Sequence, residues 1–354
     1  MADTGERRHR ATMVDVARAA GVSTMTVSYA YSQPSRVSQS AAAKVRAAAE
    51  QLGYPGPHPG ARSLRRGRAG TLGVVFGEHL TYAFEDPQAA RFLAGVAEVC
   101  EAQAVGITLV PVTGAAHDTE RIARAAVDGF VVWTTADDDP VLDAVLATGL
   151  PAVVHGGPDR GGLPVVSIDD RAAARAIGQV AFSQARQPAV LSFPFDRDRR
   201  SLVLAGPDPR EVAFPVSRHR LQGLRDACVE TGRSWSDVQV AVCSKNDATL
   251  GAAHIADLLR SRDAPDAVAA MSDELALGAL QAARDAGLAI PDALAVTGWD
   301  DTDAAGPAGL TTVRQSLREQ GAQCARLALG QSEEYHEPRW QIIRRHTSRE
   351  APAS

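Results

Sequence analysis

Twenty residues near the amino terminus, TMVDVARAAGVSTMTVSYAY from Thr12 to Tyr31, constrain this chain more than any other stretch. Thr12 can cap a helix whose third residue is Asp15. Gly21 then supplies a turn, and Ser23 caps a second helix that begins a residue or so later. Val14, Ala17, Val22 and Val27 fall where two helices crossing at a steep angle would bury them. The pattern predicts a helix-turn-helix, whose second helix enters the DNA major groove. Ser38 starts a third helix through Ala41, Val45, Ala48 and Leu52, which ends at Gly53.

The segment that follows, YPGPHPGARSLRRGRAG, changes character. Pro55, Pro57 and Pro59 forbid a continuing helix and make a stiff, extended link. Ala61 to Arg66 can form one and a half helical turns, stopped by Gly67 and Gly70, a fragment too short to hold together alone in water. Charge supports a DNA-facing head. Residues 1–70 carry 11 Lys and Arg against 4 Asp and Glu, while the rest carries 26 against 38, so a basic head sits on an acidic body within a net charge of −5.

The 354 residues and the 45% apolar content suit a globular protein of two or three domains. No run of 18 apolar residues occurs and the start MADTGERRHR is not a secretory signal, so cytoplasmic residence, with no membrane partner, is expected. Cys100, Cys228, Cys243 and Cys324 lie far apart with no CxxC. That favours buried free thiols over a metal site or a disulfide framework, and no cofactor is called for.

From Thr71 short apolar strands alternate with amphipathic helices. The strands are expected at 72–76, 107–111, 129–133, 151–155, 165–168, 188–192, 202–205, 238–242, 267–271 and 294–298. Helical patterns run over Pro87–Gln103, Arg171–Gln184, Arg220–Glu230, Ala248–Arg260 and Glu274–Ala286. Such alternation implies parallel, doubly wound sheets covered on both faces, and the length suffices for two α/β lobes with a ligand cleft between them. The domain plan is a helix-turn-helix head over 1–54, a link and hinge helix over 55–70, and a two-lobed effector-binding and dimerisation body over 71–354.

Six motifs occur in an order that resembles the lactose/galactose-repressor family of bacterial transcription regulators over nearly the whole chain. They are VDVARAAGVSTMTVS (14–28), RVSQSAAAKVRAAAEQLGY (36–54), ARSLRRGRAGTLGVVF (61–76), MSDELALGALQAARDAG (271–287), VTGWDD (296–301) and LTTVRQ (310–315). The resemblance implies a periplasmic-binding-protein-like body and a homodimer that binds pseudo-palindromic double-stranded operator DNA under the control of a small-molecule effector. It gives base-reading roles to Thr24, Met25 and Tyr29, the last in a place where the family commonly has Arg. A single phenol cannot make an arginine's bidentate contact with guanine. Thr12, Ser23, Thr26, Ser28, Arg36 and Ala61 are placed on the DNA by the same resemblance. Leu64 matches the hinge leucine that wedges into the minor groove, with Arg62, Arg65, Arg66 and Arg68 along the phosphates. In the body, Asp273 and Arg220 match effector-contacting residues, and Trp299 replaces the family's usual Phe or Tyr near the cleft. Tyr82 and Phe84, in the loop after the first strand, and Asp138, after the third, should rim that cleft. Asn246 stands where sugar-binding members often place a stacking aromatic, which leaves a sugar, a nucleoside or a related metabolite open as effector.

Asp273 is equally placed as the charge at the N-terminus of the helix beginning at Glu274, and Asp137 to Asp139 as a solvated loop. His155 and His219 read as structural or exposed. No GxGxxG follows the first strand, and no Walker loop, GxSxG elbow or HExxH is present, so a catalytic role is not indicated. A repressor is the first expectation. An activator of the same architecture, or a small-molecule binding protein without a DNA role, are the alternatives.

Overall fold

The computed structural model of this chain describes residues 11–56, 68–77, 81–112, 114–115, 117–331 and 336–350. They divide into two compact units between Ala69 and Gly70. In the first unit, hydroxyl caps set three helices: α1 (Met13–Ala20), α2 (Thr24–Ser32) and α3 (Gln39–Gln51). Thr12 and Asp15 form a reciprocal capping box, Gly21 takes the left-handed conformation (φ 64°) that ends α1, and Ser23 and Ser38 cap the other two. The core between the helices is Val16, Ala17, Val27, Val45, Ala48 and Ala49. Val14, expected inside, is 53% exposed. It lies two residues before Val16, about 200° away around the helix, so the buried stripe of α1 runs through Val16 and Ala17 instead. Leu52, expected on the inner face of α3, is its partly exposed C-cap.

The second unit contains two sheets. In lobe 1, β1 (Thr71–Phe76), β2 (Gly106–Pro111), β3 (Phe130–Trp133), β4 (Ala152–His155) and β5 (Val165–Val166) form a parallel sheet of order β2-β1-β3-β4-β5. β1, β3 and β4 are apolar and buried almost throughout, as central parallel strands must be when helices cover both faces. Helices α4 (Tyr82–Glu85), α5 (Pro87–Ala102), α6 (Asp118–Ala123) and α7 (Pro140–Ala147) accompany it.

In lobe 2, the strands are β6 (Pro188–Ser192), β7 (Leu202–Ala205), β8 (Gln239–Val242), β9 (Ala267–Ala270), β10 (Ala295–Asp300), β11 (Thr311–Arg314) and β12 (Gln341–Ile343), in the order β12-β11-β10-β9-β6-β8-β7. The interior is parallel, but both edges, β7 on β8 and β12 on β11, are antiparallel. Helices α8 (Asp170–Phe182), α9 (Pro215–Glu230), α10 (Ala248–Leu259) and α11 (Asp273–Asp285) cover the two faces.

The chain then crosses back. Helix α12 (Leu317–Ala328) packs in lobe 1 against α5 and β4, and β12 returns to the lobe 2 sheet, so the lobes are tied by several strands of chain rather than one. The α5–α12 contact is unusually close because each helix offers a glycine to the other's backbone. A Cβ on Gly95 would stand 1.8 Å from the Arg318 carbonyl oxygen, and one on Gly321 would stand 2.1 Å from that of Phe92. A methyl group cannot fit at either place.

Alanine normally gains about 1 kcal/mol over glycine inside a helix. Gly95→Ala should nevertheless lower stability by about 2 kcal/mol or more, because the helices must part or the backbone must shift. A urea denaturation midpoint equal to or above the wild type would contradict the close contact.

Candidate nucleic-acid interface and ligand cleft

On the head, the first turn of α2 leaves Thr24 and Met25 exposed, Met25 by 61%. Exposure of a large apolar side chain at a helix start has no core to explain it, and it suits contact with base edges. Tyr29, one turn further, is half-buried, with the Arg36 guanidinium 5.7 Å from its ring centre. Thr12, Ser23 and Thr26 are engaged within the head. Thr12 Oγ1 donates to Asp15 Oδ2 at 2.6 Å, and the Ser23 and Thr26 hydroxyls meet at 2.9 Å. Ser28 departs from the expected role: it is 9% exposed and lies on the inner side of α2 beside Val27, so the helix turns it away from a groove. Ala61, Arg62, Leu64 and Arg65 lie outside the described residues.

In the body, a cleft lined by residues of both lobes lies between the two sheets. Its walls come from the carboxyl ends of strands in both lobes. Trp133, Thr134 and His155 follow from β3 and β4, while Phe193, Asn246, Asp300 and Gln315 follow from β6, β8, β10 and β11. This is where open α/β sheets place ligands, because the strand ends and helix starts turn polar groups toward one crevice.

Arg220 is 6% exposed and anchors one wall. Its Nε donates to Asp170 Oδ1 at 2.7 Å, its Nη1 donates to the Met271 carbonyl at 2.7 Å, and its Cζ lies 4.0 Å from the Trp299 ring centre. A buried guanidinium is tolerated only when paired and hydrogen-bonded in this way. Beside it, Asp300 is buried, and burial, the strongest influence, raises its pKa well above the carboxylate range. Its backbone is held at φ 108°, which non-glycine residues adopt at a cost and mostly at functional sites.

Several links close the cleft across the lobes. Asn246 Nδ2 donates to Asp86 Oδ2 at 2.6 Å, and Asn246 Oδ1 accepts from Ser272 Oγ at 2.6 Å. Arg218 makes a bidentate pair with Asp137 (2.6 and 3.0 Å), and Arg197 reaches Asp138 at 3.2 Å. The acidic run 137–139 is therefore a clasp, not merely a solvated loop. Asp139, its last member, is buried and caps α7.

The expected site residues separate accordingly. Arg220 and Asn246 line the cleft, and Asp138 belongs to the clasp. Trp299 is buried behind Arg220. Phe84 is 69% exposed and does not line the cleft; the side chain of Tyr82 is outside the described residues. Asp273 is fully buried and turned elsewhere. Its Oδ1 accepts from Thr312 Oγ1 and its Oδ2 from the Thr302 amide, both at 2.6 Å, so it ties the 300–312 loop to the start of α11. Burial pushes its pKa up to about 6. The residues that sequence reasoning missed, chiefly Asp86, Trp133, Asp170, Asp300 and Gln315, lie at strand ends or helix starts. Trp133 closes an expected strand, as does His155, whose place in the sequence suggests a structural or exposed side chain.

His155 gives a pH test. Burial drives its pKa down to about 4 from 6.5, so the folded state binds fewer protons than the unfolded one in between. Its contribution to stability is present above pH 6.5 and is lost as pH falls toward 4. The unfolding free energy of the wild type minus that of His155→Gln should rise by up to about 3 kcal/mol from pH 4 to 6.5. A flat difference in urea titrations would contradict a buried neutral imidazole.

Residues 12–56 match the model of the bacterial regulatory proteins of the lacI family, and residues 196–348 match the periplasmic binding protein-like domain. An HTH-type transcriptional regulator of Mycobacterium tuberculosis is 38% identical over 327 residues, 91% of each chain. The HTH-type transcriptional regulator IpsA of Corynebacterium glutamicum is 33% identical over 94% of this chain and 95% of its own. Among solved structures, a LacI-family transcriptional regulator from Corynebacterium glutamicum aligns over 96% of this chain and 99% of its own, with 30% identity and a TM-score of 0.72. The CelR–cellobiose complex aligns over 96% and 100%, with 26% identity and a TM-score of 0.64. With a capped helix-turn-helix head and a two-lobed body along one chain, this protein belongs to the LacI family of bacterial transcriptional regulators and is a DNA-binding regulator, not an enzyme.

Proposed function

We propose that the protein is a homodimeric repressor that binds a pseudo-palindromic operator in the cytoplasm and senses a small polar metabolite in its interlobe cleft. The observation that carries this reading is the cleft itself: both lobes line it at their strand ends, and ion pairs bridge the lobes around it. A ligand that touches both walls favours one lobe arrangement over another by the difference in its contacts, and that difference is the only free energy available to alter DNA binding. Relatives support the class of control. The Ribose operon repressor of Haemophilus influenzae and the HTH-type transcriptional repressor CytR of Escherichia coli are each 29% identical to this chain.

On DNA, Thr24, Met25 and Tyr29 read bases from α2. Tyr29 offers one hydroxyl and a ring face, so the operator should differ from those read by an arginine at this position. Leu64 is the only large apolar residue in the segment from Ala61 to Arg68, and a wedge between base steps gives it a use there. A hinge helix this short forms only with DNA and a second copy, so a small rearrangement of the lobes suffices to melt it.

A gel-shift titration on the DNA upstream of its own gene tests the reading. A sequence-selective complex is expected whose affinity falls steeply with salt; absence of such a complex overturns it. Leu64→Ala should leave the protein folded yet weaken specific binding about ten-fold or more, in keeping with the few kcal/mol at stake in a wedged step. Unchanged affinity rules out the wedge.

A further inference from the structure

Helix α2 reads TMTVSYAYS and carries no charged, amide or imidazole side chain. That restricts what the second helix of a helix-turn-helix can read, since such a helix meets base edges with its N-terminal residues. The strong base-specific contacts of the major groove are bidentate, from Arg or Lys to guanine and from Asn or Gln to adenine. None of these residues is on α2. The next along the chain is Gln33, the C-cap, about 12 Å further along the axis than Met25. Arg36, beyond it, is held against Tyr29, its Cζ 5.7 Å from the ring centre. Most polar groups of α2 itself are engaged or turned inward. The Thr26 hydroxyl meets that of Ser23 at 2.9 Å, Ser32 Oγ donates to the Ser28 carbonyl at 2.8 Å, and Ser28 is buried beside Val27. Tyr31 packs edge-on against Tyr54. What remains is Thr24 and Met25 in the first turn, both exposed, and Tyr29 one turn beyond Met25 on the same side. A single hydroxyl, on Thr24 or Tyr29, can donate or accept and so discriminates little between bases. The side chain that discriminates is Met25, 61% exposed, unbranched and able to adapt its shape to a small apolar group.

We infer that Met25 is a specificity-determining residue of the head that selects thymine in each operator half-site by packing its thioether on the 5-methyl group. The inference rests on the reading of the head as operator-binding and names the base and the group that it reads. Thymine's methyl is the apolar group that the four base pairs offer in the major groove. A purine at the same place would set its N7 acceptor, dry, against a side chain that donates nothing, and that desolvation is unfavourable. Cytosine would bring an amine in place of the thymine carbonyl and a bare ring edge in place of the methyl. Base choice at this position therefore comes from burial of one methyl group, and the guanine and adenine codes of Arg and Gln do not apply to it.

The test uses the full-length protein and the duplexes it enriches from a random-sequence library, measured by gel shift at fixed salt. Each thymine of the enriched site is replaced in turn by deoxyuridine, which removes the methyl and leaves pairing and the minor groove as they were. At one position in each half-site the loss should be about four-fold, the value of one buried methyl, and about 15-fold when both half-sites are changed. Exchanging that T·A pair for C·G should weaken binding, and 5-methylcytosine should regain about four-fold over cytosine. Met25 is exposed and outside the core of the head, so Met25→Ala should stay folded, and on it the deoxyuridine loss should fall below about two-fold. Affinity indifferent to every deoxyuridine overturns the inference. So does a deoxyuridine loss that Met25→Ala keeps in full, since the methyl is then read by another side chain. Enrichment of a shared sequence reports operator binding by itself, so failure here is distinguishable from failure of the repressor reading.

Discussion

The guanidinium of Arg220 is held under conditions that permit few alternatives. It comes from α9, pairs with Asp170 at the start of α8, donates to the carbonyl at the end of β9, and sits over the ring of Trp299 of β10. Four elements of lobe 2 thus meet on one buried charge. Taking such a charge out of water is costly by several kcal/mol, and removing only one partner of the pair leaves the other uncompensated. The rest of the cleft depends on this arrangement, because it fixes where the strand ends of lobe 2 stand and sets a cation beside Asp300. Burial favours the protonated form of that carboxyl and Arg220 opposes it, so the site keeps its polarity without gathering unpaired charge.

Across the cleft, the order of strength is reversed. The bridging pairs Arg218–Asp137 and Arg197–Asp138 are partly exposed, with Asp138 84% exposed. Pairs of that kind contribute a fraction of a kcal/mol to about 1 kcal/mol each and weaken with salt. Rigid lobes joined by weak, water-exposed pairs make a hinge that a ligand of modest affinity can bias. The glycine-to-glycine contact of α5 with α12 works on the rigid side of this division, since α12 is the segment that crosses back into lobe 1 and carries Gln320.

Much of this was legible in the sequence. The caps Thr12, Ser23 and Ser38, the turn at Gly21 and most strands stand within a residue or two of where periodicity set them, because those signals are local. What escaped reading was non-local. Gly321 looks like a break in a helix, yet it is there to meet the backbone of Phe92; β12 is three residues long and exists only by pairing with β11. Asp273 has the residue type and position of a ligand contact, but Thr302 and Thr312, about thirty and forty residues on, take both its oxygens. His155 closes a plain apolar strand, and nothing nearby in sequence announces Gln320, 165 residues away, as its partner. Ser28 and Val14 show the same limit on a smaller scale, since the face of a helix that is buried is decided by the helices packed against it.

In the function proposed above, the arrangement of the two lobes in the body governs the grip of the head on DNA. The most direct measurement is the operator affinity of the double variant Arg197→Ala with Arg218→Ala, at fixed salt and without added ligand. Both residues belong to the body, in the clasp, so the head's own chemistry is unaltered. Loss of the clasp should change specific affinity by about five-fold or more, the lower range of ordinary allosteric coupling. An affinity equal to that of the wild type, with the body still folded, would contradict the claim.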